Sequence, residues 1–154
     1  MNGYLAITSD AWCKNIKQFG VTSAVFWRKK LRFCAIQPNE SFFFLSRKRS
    51  DGTRYILGQG EYVESLESNV KDAWDRYTIQ LGSDSEESFV KNIQGLYKTS
   101  DTKIGCIVLK NIQFYSIPIP LDRCNIEFSP YIVSGKTINN DECMSLLACL
   151  KEGV

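Results

Sequence analysis

Apolar residues recur along the chain with two different spacings, and these spacings predict alternating strands and short helices. Residues 3–9 form an apolar run typical of a first strand. A helix over residues 11–19 follows, because Ser9 or Asp10 can cap its start and Gly20 can end it. One face of this helix carries apolar residues at i, i+4 and i+7: Trp12, Ile16 and Phe19.

The remaining pattern predicts five more strands and three more helices. The strands are expected at 33–36, 41–45, 55–63, 103–109 and 112–117. The helices are expected at 69–81, 85–97 (capped by Ser85) and 141–150. Between the first helix and the first of these strands, Ala24–Trp27 is a short apolar stretch that runs into a basic segment. This order predicts an α+β fold with a mostly antiparallel curled sheet or small barrel and flanking helices.

Length and composition bound the class of protein. The chain has 154 residues, 44% of them hydrophobic, which fits a single domain spanning 1–154. It has no apolar run of about 18 residues, so no membrane span is expected. Met1–Ser9 lacks the basic and apolar regions of a signal peptide, and a cytoplasmic location is expected.

The absence of histidine excludes many kinds of chemistry. With 0 His in the chain, Ser-His and Cys-His hydrolases, His-dependent nucleases and common zinc hydrolases are ruled out. The 6 cysteines show no CxxC spacing, so a structural zinc site is not expected. We expect reduced thiols that are mostly buried, in particular Cys34 and Cys106, which lie in apolar runs.

The net charge of +2 conceals two oppositely charged segments. Residues 28–54 carry eight basic and two acidic side chains, whereas residues 61–87 carry two basic and eight acidic ones. A basic segment on one face would form a positive patch suited to phosphate.

Several short strings along the chain occur together in one known group of proteins. In the first third they are Ile7-Thr8-Ser9-Asp10-x-Trp12, Phe26-Trp27-Arg28 and Gln37-Pro38-Asn39-Glu40-x-Phe42-Phe43-Phe44. Further on they are Ile56-Leu57-Gly58-Gln59-Gly60, Ala73-Trp74-Asp75-Arg76-Tyr77, Ile104-Gly105-Cys106-Ile107-Val108-Leu109, Phe114-Tyr115, Ser129-Pro130 and Ile132-Val133-Ser134-Gly135-Lys136-Thr137. This ordered set, over about residues 4–147, resembles the N-terminal module of modification-dependent restriction endonucleases.

The resemblance implies a domain of the PUA superfamily, related to the EVE, YTH and SRA readers. Such modules are typically followed by an HNH nuclease domain. Because this chain has no histidine, it cannot itself hold an HNH site. The expectation is therefore a DNA-binding module without catalytic activity, cofactor or metal, which recognises a modified base in double-stranded DNA. Its expected partners are nucleic acid and a nuclease domain in the same or a partner chain.

A reader of this kind must hold a base outside the stack, and the sequence offers residues suited to that task. Candidate ligand-binding residues are two aromatic rings and a glycine-flanked amide: Trp12, Trp27, Gly58, Gln59 and Gly60. Candidate contacts to the nucleic-acid backbone are the basic residues of two clusters: Arg28, Lys29, Lys30, Arg32, Arg47, Lys48 and Arg49. The glycines alternatively mark a β-bulge that helps the sheet to curl, and either tryptophan could belong to the core.

Three other functions fit parts of the sequence. PUA-like and YTH-like domains also bind RNA, so an RNA reader is one alternative. An enzyme that uses carboxylates alone could place Asp72 and Asp75 on one helix face, with Asp84, Glu86 and Glu87 nearby. The acidic 61–87 segment could instead bind a protein partner. Gly135-Lys136-Thr137 lacks the upstream glycine of a P-loop, which excludes that motif.

Overall fold

The computed structural model describes residues 1–96 and 102–152. Within them, six strands form one sheet: β1 (Gly3–Ile7), β2 (Ala24–Arg28), β3 (Ser41–Leu45), β4 (Tyr55–Asn69), β5 (Lys103–Pro120) and β6 (Gly135–Ile138). The α-helices are α1 (Asp10–Phe19), α2 (Val70–Tyr77), α3 (Glu86–Leu96) and α4 (Asn140–Glu152), with 3₁₀ helices at Thr78–Leu81 and Leu121–Cys124. No helix of this part of the chain is long and apolar enough to cross a membrane.

Helix α1 follows directly from its local sequence. The Ser9 side chain accepts a hydrogen bond from the backbone N–H of Trp12, which satisfies an otherwise unpaired donor of the first turn. Gly20 ends the helix in the left-handed conformation, with φ of 66°. Trp12 and Ile16 are buried on the face that the i, i+4 spacing indicated. The sequence-based prediction of this helix is confirmed.

The sheet has the strand order β2-β5-β4-β3-β1-β6. β1 pairs parallel to β3, and every other neighbouring pair is antiparallel. The α+β class is therefore confirmed. Three register shifts lie along the β4–β5 pair, and β-bulges of this kind bend a sheet and increase its twist.

The bending closes the sheet around a core. β1 and β2 are separated by three strands in the hydrogen-bonded order, yet Tyr4 of β1 and Ala24 of β2 belong to the same buried cluster. Aromatic rings fill the space between them, with Phe42 and Phe44 of β3 fully buried. Phe26 of β2 lies 5.3 Å from Phe42, ring centre to ring centre. The sheet is thus curled, with the β2 edge brought towards β1 and β6.

One strand prediction is wrong. Residues 33–36 are not a strand, although Phe33 and Ile36 are buried. Their side chains pack into the core from an irregular segment, so the apolar run reflects burial and not sheet pairing. Cys34 in the same segment is exposed, contrary to the expectation, whereas Cys106 is fully buried.

Residues 103–109 and 112–117 are parts of the single strand β5. Asn111 between them takes a positive φ of 52°, which asparagine tolerates, and the strand continues through the irregularity. Neither β2, which contains the apolar stretch Ala24–Trp27, nor β6 was predicted as a strand. The 69–81 helix ends as an α-helix at Tyr77 and continues as 3₁₀, while residue 97 of the predicted 85–97 helix lies outside the described residues.

Candidate functional site

A cavity of about 520 Å³ opens where the curled sheet meets α1. Its walls come from β1, α1, β2, the 81–83 segment, α3 and the chain just before β6. The lining residues are Tyr4, Ala6, Ile7, Thr8, Ser9, Ala11, Trp12, Asn15, Phe26, Trp27, Arg28, Arg47, Leu81, Gly82, Ser83, Asn92, Val133 and Ser134. Both candidate tryptophans are among them.

Trp12 forms one aromatic wall from the first turn of α1. It is 8% exposed, and its ring meets Phe44 edge-on with centres 5.2 Å apart. Its indole N–H donates to the carbonyl of Val25 at 3.3 Å. Trp12 therefore belongs to the core and also lines the cavity, and its role as a ligand-binding residue stays a prediction.

Trp27 forms the second aromatic wall, from β2. It is half-buried, and its indole N–H donates to the carbonyl of Leu81 at 3.1 Å. Its ring meets Phe89 of α3 edge-on, with centres 5.6 Å apart. Because the polar atom of each indole is satisfied by the backbone, the two rings present hydrocarbon and π surface to the cavity.

Gly82 sets the shape of the cavity beside Trp12. It ends the 3₁₀ helix with φ of 84°, in the left-handed region where glycine is favoured. A Cβ built on Gly82 would collide with the Trp12 indole. Only glycine lets the 81–83 segment approach the ring this closely.

Two arginines belong to the lining. Arg28, at the end of β2, donates from Nη2 to the carbonyl of Arg32 at 2.8 Å, and its guanidinium lies 5.0 Å from the Phe33 ring centre. The Nε of Arg28 is buried and has no hydrogen-bond partner within residues 1–96 and 102–152. Arg47 is exposed and follows β3. Among the described residues that line the cavity there is no carboxylate, so its charge is positive.

The neighbouring Arg49 is engaged elsewhere. Its guanidinium forms two hydrogen bonds with the carboxylate of Asp10 at the start of α1, one of them 2.9 Å long. The hydrogen bond from Arg49 and its positive charge hold the pKa of Asp10 below its usual value. This pair fastens the 49–52 turn to α1, while Arg47 two residues earlier reaches the cavity.

The other predicted backbone contacts lie outside the cavity. Lys29, Lys30, Arg32 and Lys48 are exposed and do not line it. They extend the positive surface from each of the two arginines along the chain, with Lys29 and Lys30 next to Arg28 and Lys48 next to Arg47.

The structure does not bring Gly58, Gln59 and Gly60 to the cavity. A Cβ on Gly58 would collide with the backbone of Gln113 on β5, so the glycine is required by strand packing. The Gln59 side chain accepts a hydrogen bond of 2.5 Å from the Tyr115 hydroxyl, also on β5. The alternative interpretation, a bulge between paired strands, matches this arrangement, because register shifts occur on both sides of Gly58.

Three polar residues of the cavity escaped sequence analysis: Asn15, Ser83 and Asn92. They come from α1, the 81–83 segment and α3, and no spacing in the sequence links them. Asn15 donates from Nδ2 to the carbonyl of Gly82 at 2.9 Å. The Nδ2 atom of Asn92 lies 3.4 Å from the hydroxyl oxygen of Ser83. Ser83 is buried, with 2% of its surface exposed.

The structure offers few groups for metal or thiol chemistry. Within the described part of the chain, no three His, Cys, Asp or Glu residues are placed to hold a metal ion. Burial raises the pKa of Cys13 to about 12 and that of Cys106 to about 11, which keeps both thiols protonated near neutral pH.

Comparison with known proteins identifies the fold. No family model matches the chain, and no curated protein matches it. Among solved structures it is similar to a tyrosine-to-phenylalanine variant of the ASCH protein of Zymomonas mobilis, with a TM-score of 0.69 and 17% identity over 95% of this chain and 96% of the other. The parent ASCH protein gives a TM-score of 0.66 at 17% identity, over 95% and 94% of the two chains. A serine-to-alanine variant gives 0.68 at 15% identity, with the same coverage.

The chain has a PUA-like fold. The PUA-like fold expected from the sequence is therefore confirmed. At 15–17% identity the likeness concerns the fold alone. Because the sheet is curled, the edge strand β2 and the first turn of α1 lie on the same cavity. The link to EVE domains and restriction endonucleases stays a prediction.

Proposed function

We propose that this chain is a non-catalytic reader that takes one modified base of double-stranded DNA into the cavity between Trp12 and Trp27. The observation that carries the proposal is that one cavity contains both predicted tryptophans, with Arg28 and Arg47 also in its lining. The nuclease that such a reader would direct is proposed to be a separate domain in the same or a partner chain.

The size and the walls of the cavity suit a base. Its volume of about 520 Å³ falls within the roughly 300–1,000 Å³ of small-molecule sites, and leaves room for a substituent on a nucleobase. Removing a base from the duplex costs a few kcal/mol. Stacking against an aromatic side chain returns about 1–3 kcal/mol per base. The tryptophan walls can therefore offset much of the cost of flipping.

The positive charge of the site suits contacts with the DNA phosphates on either side of that base. Arg28 ends β2 and Arg47 follows β3, and both line the same cavity. The exposed Lys29, Lys30 and Lys48 beside them extend the positive surface. Contacts to several phosphates would release counterions and make the affinity fall steeply with salt.

The test is a titration followed by fluorescence anisotropy at 50 mM and 200 mM salt. The probes are 20-base-pair duplexes with one central 5-methylcytosine, 5-hydroxymethylcytosine or N6-methyladenine, the unmodified duplex, and single-stranded RNA of the same sequence. Tighter binding of at least one modified duplex supports the proposal. Preference for the RNA would make the chain an RNA reader, and no binding of any probe at low salt would overturn both.

A further inference from the structure

The cavity has a polar end as well as aromatic walls. Thr8 and Ser83 line it, and they are two of the three buried polar side chains among the described residues; the third is Ser46. Buried hydroxyl groups normally have well-formed hydrogen bonds, because an unsatisfied one costs about 1–3 kcal/mol. Their bonding therefore shows which of them is available to a ligand.

Thr8 and Ser46 are satisfied within the protein. The Thr8 hydroxyl donates to the carbonyl of Ala6 at 2.8 Å. The Ser46 hydroxyl donates to the carbonyl of Arg47 at 2.9 Å and accepts from the Tyr55 N–H at 2.9 Å. The hydroxyl proton of each is therefore already donated within the protein.

Ser83 differs from both. Its hydroxyl oxygen meets only the Asn92 amide at 3.4 Å, beyond the usual length of such a bond, and its proton has no acceptor within residues 1–96 and 102–152. The side-chain carbonyl oxygens of the half-buried Asn15 and the exposed Asn92 also accept no bond from these residues. One donor and two acceptors thus line the same end of the cavity.

This set matches a nucleobase edge. Each base presents a ring acceptor or carbonyl beside an N–H donor on its Watson–Crick edge. We infer that Ser83, with Asn15 and Asn92, reads this edge of the base in the cavity. On this account, which rests on the proposed function, Ser83 donates to the acceptor of the base and an asparagine carbonyl accepts from its N–H.

The proposed role also explains why a buried hydroxyl group lacks a hydrogen-bond acceptor. A serine with an unmet donor is retained in a buried position where alanine would avoid the cost. Replacing Ser83 by alanine should therefore weaken binding while leaving the melting temperature unchanged or higher. A merely structural role predicts the opposite change in melting temperature.

The experiment compares bases that keep an N–H donor on this edge with bases in which methyl groups replace it. Duplexes carry 5-methylcytosine or 5,N4,N4-trimethylcytosine at one position, and a second pair carries N6-methyladenine or N6,N6-dimethyladenine. The fully methylated bases pair less well and should flip more easily, so weaker binding of them reflects the lost N–H together with the added methyl groups. Loss of the preference in Asn92→Ala assigns it to the hydrogen bond. Wild type, Ser83→Ala and Asn92→Ala are measured, with Gln59→Ala as the control outside the cavity.

Wild type and Gln59→Ala are expected to bind the base that keeps its N–H about 3- to 10-fold more tightly in at least one pair, which corresponds to one hydrogen bond. Ser83→Ala is expected to lose about 3- to 10-fold in affinity, and Asn92→Ala to lose the preference. Wild-type affinity and preference in both variants would overturn the inference and leave the proposed function standing. Absence of binding by wild type would overturn both.

Discussion

The guanidinium of Arg49 and the carboxylate of Asp10 form a two-fold hydrogen-bonded ion pair between the 49–52 turn and the first residue of α1. The pair lies beside the cavity, since Ser9 and Ala11 on either side of Asp10 line it. One of the predicted phosphate contacts therefore serves to hold the basic turn in place. Arg47, two residues earlier, is the basic residue of this segment that lines the cavity.

Asp10→Asn should lower the stability of the fold in a pH-dependent way. The Arg49 hydrogen bond lowers the pKa of Asp10, so the pair stabilises the protein above the unfolded-state pKa of about 3.9. That contribution is lost as the pH falls through the lower folded-state pKa. Both side chains are partly exposed, so the effect is expected to be below about 1 kcal/mol at pH 7.

The measurement is the free energy of unfolding by urea for wild type and Asp10→Asn at pH 7 and pH 2. The difference should be smaller at pH 2, because the pair loses its contribution as the wild-type carboxyl takes up a proton. A difference of equal size at both pH values would show that the charge of Asp10 plays no part.

Arg47→Gln should weaken binding of the modified duplex and reduce its salt dependence. If Arg47 contacts one phosphate, the slope of log K against log salt should become less steep by about 0.9. Lys48→Gln is the matched control, because Lys48 is exposed and adjacent but does not line the cavity. Equal effects of the two substitutions would mean that the charge of the turn acts without a specific contact.

Trp27→Ala should weaken binding by about 1–3 kcal/mol, the usual worth of a stacked base. Trp74→Ala is a close control: its ring also packs on Phe89, with centres 5.9 Å apart against 5.6 Å for Trp27, and it is half-buried outside the cavity. Both substitutions should destabilise the fold, by up to about 3 kcal/mol each. Titration at a temperature where both variants are folded separates the effects, and equal loss of affinity in both would refute the stacking role.

Gly82→Ala should destabilise the protein and close the cavity, because the added methyl group would displace the Trp12 indole. Gly20→Ala isolates the backbone contribution. Gly20 also has a positive φ, 66°, but no atom lies within 4 Å of an added Cβ. The left-handed conformation alone costs roughly 1–2 kcal/mol.

Thermal unfolding and probe titration of the two variants give the comparison. Gly82→Ala should lose more stability than Gly20→Ala and should bind the modified duplex less tightly. Similar melting temperatures and affinities would show that Trp12 moves aside without consequence.

Local sequence signals were sufficient to predict an element where neighbouring residues determine its limits. The Ser9 cap and Gly20 indicated the limits of α1, and the apolar run at 41–45 indicated the strand β3. These signals failed where contacts between distant parts of the chain determine the structure. Residues 33–36 are buried without pairing to another strand, and β5 continues through Asn111. The polar end of the cavity joins three elements, so no spacing could have indicated it.

The same contrast separates two cysteines that appear alike in the sequence. Cys34 and Cys106 both lie in apolar runs, yet Cys34 is exposed on an irregular segment and Cys106 is fully buried in β5. Burial raises the pKa of Cys106 to about 11, and only the thiolate reacts with an alkylating agent. Brief treatment of the folded protein with iodoacetamide at pH 8 should therefore modify Cys34 well before Cys106. Peptide mass spectrometry measures both sites, with Cys34→Ser as the control that removes the fast adduct. Equal rates at the two sites would mean that β5 opens on the time scale of the reaction, which its pairing with β2 on one side and β4 on the other argues against.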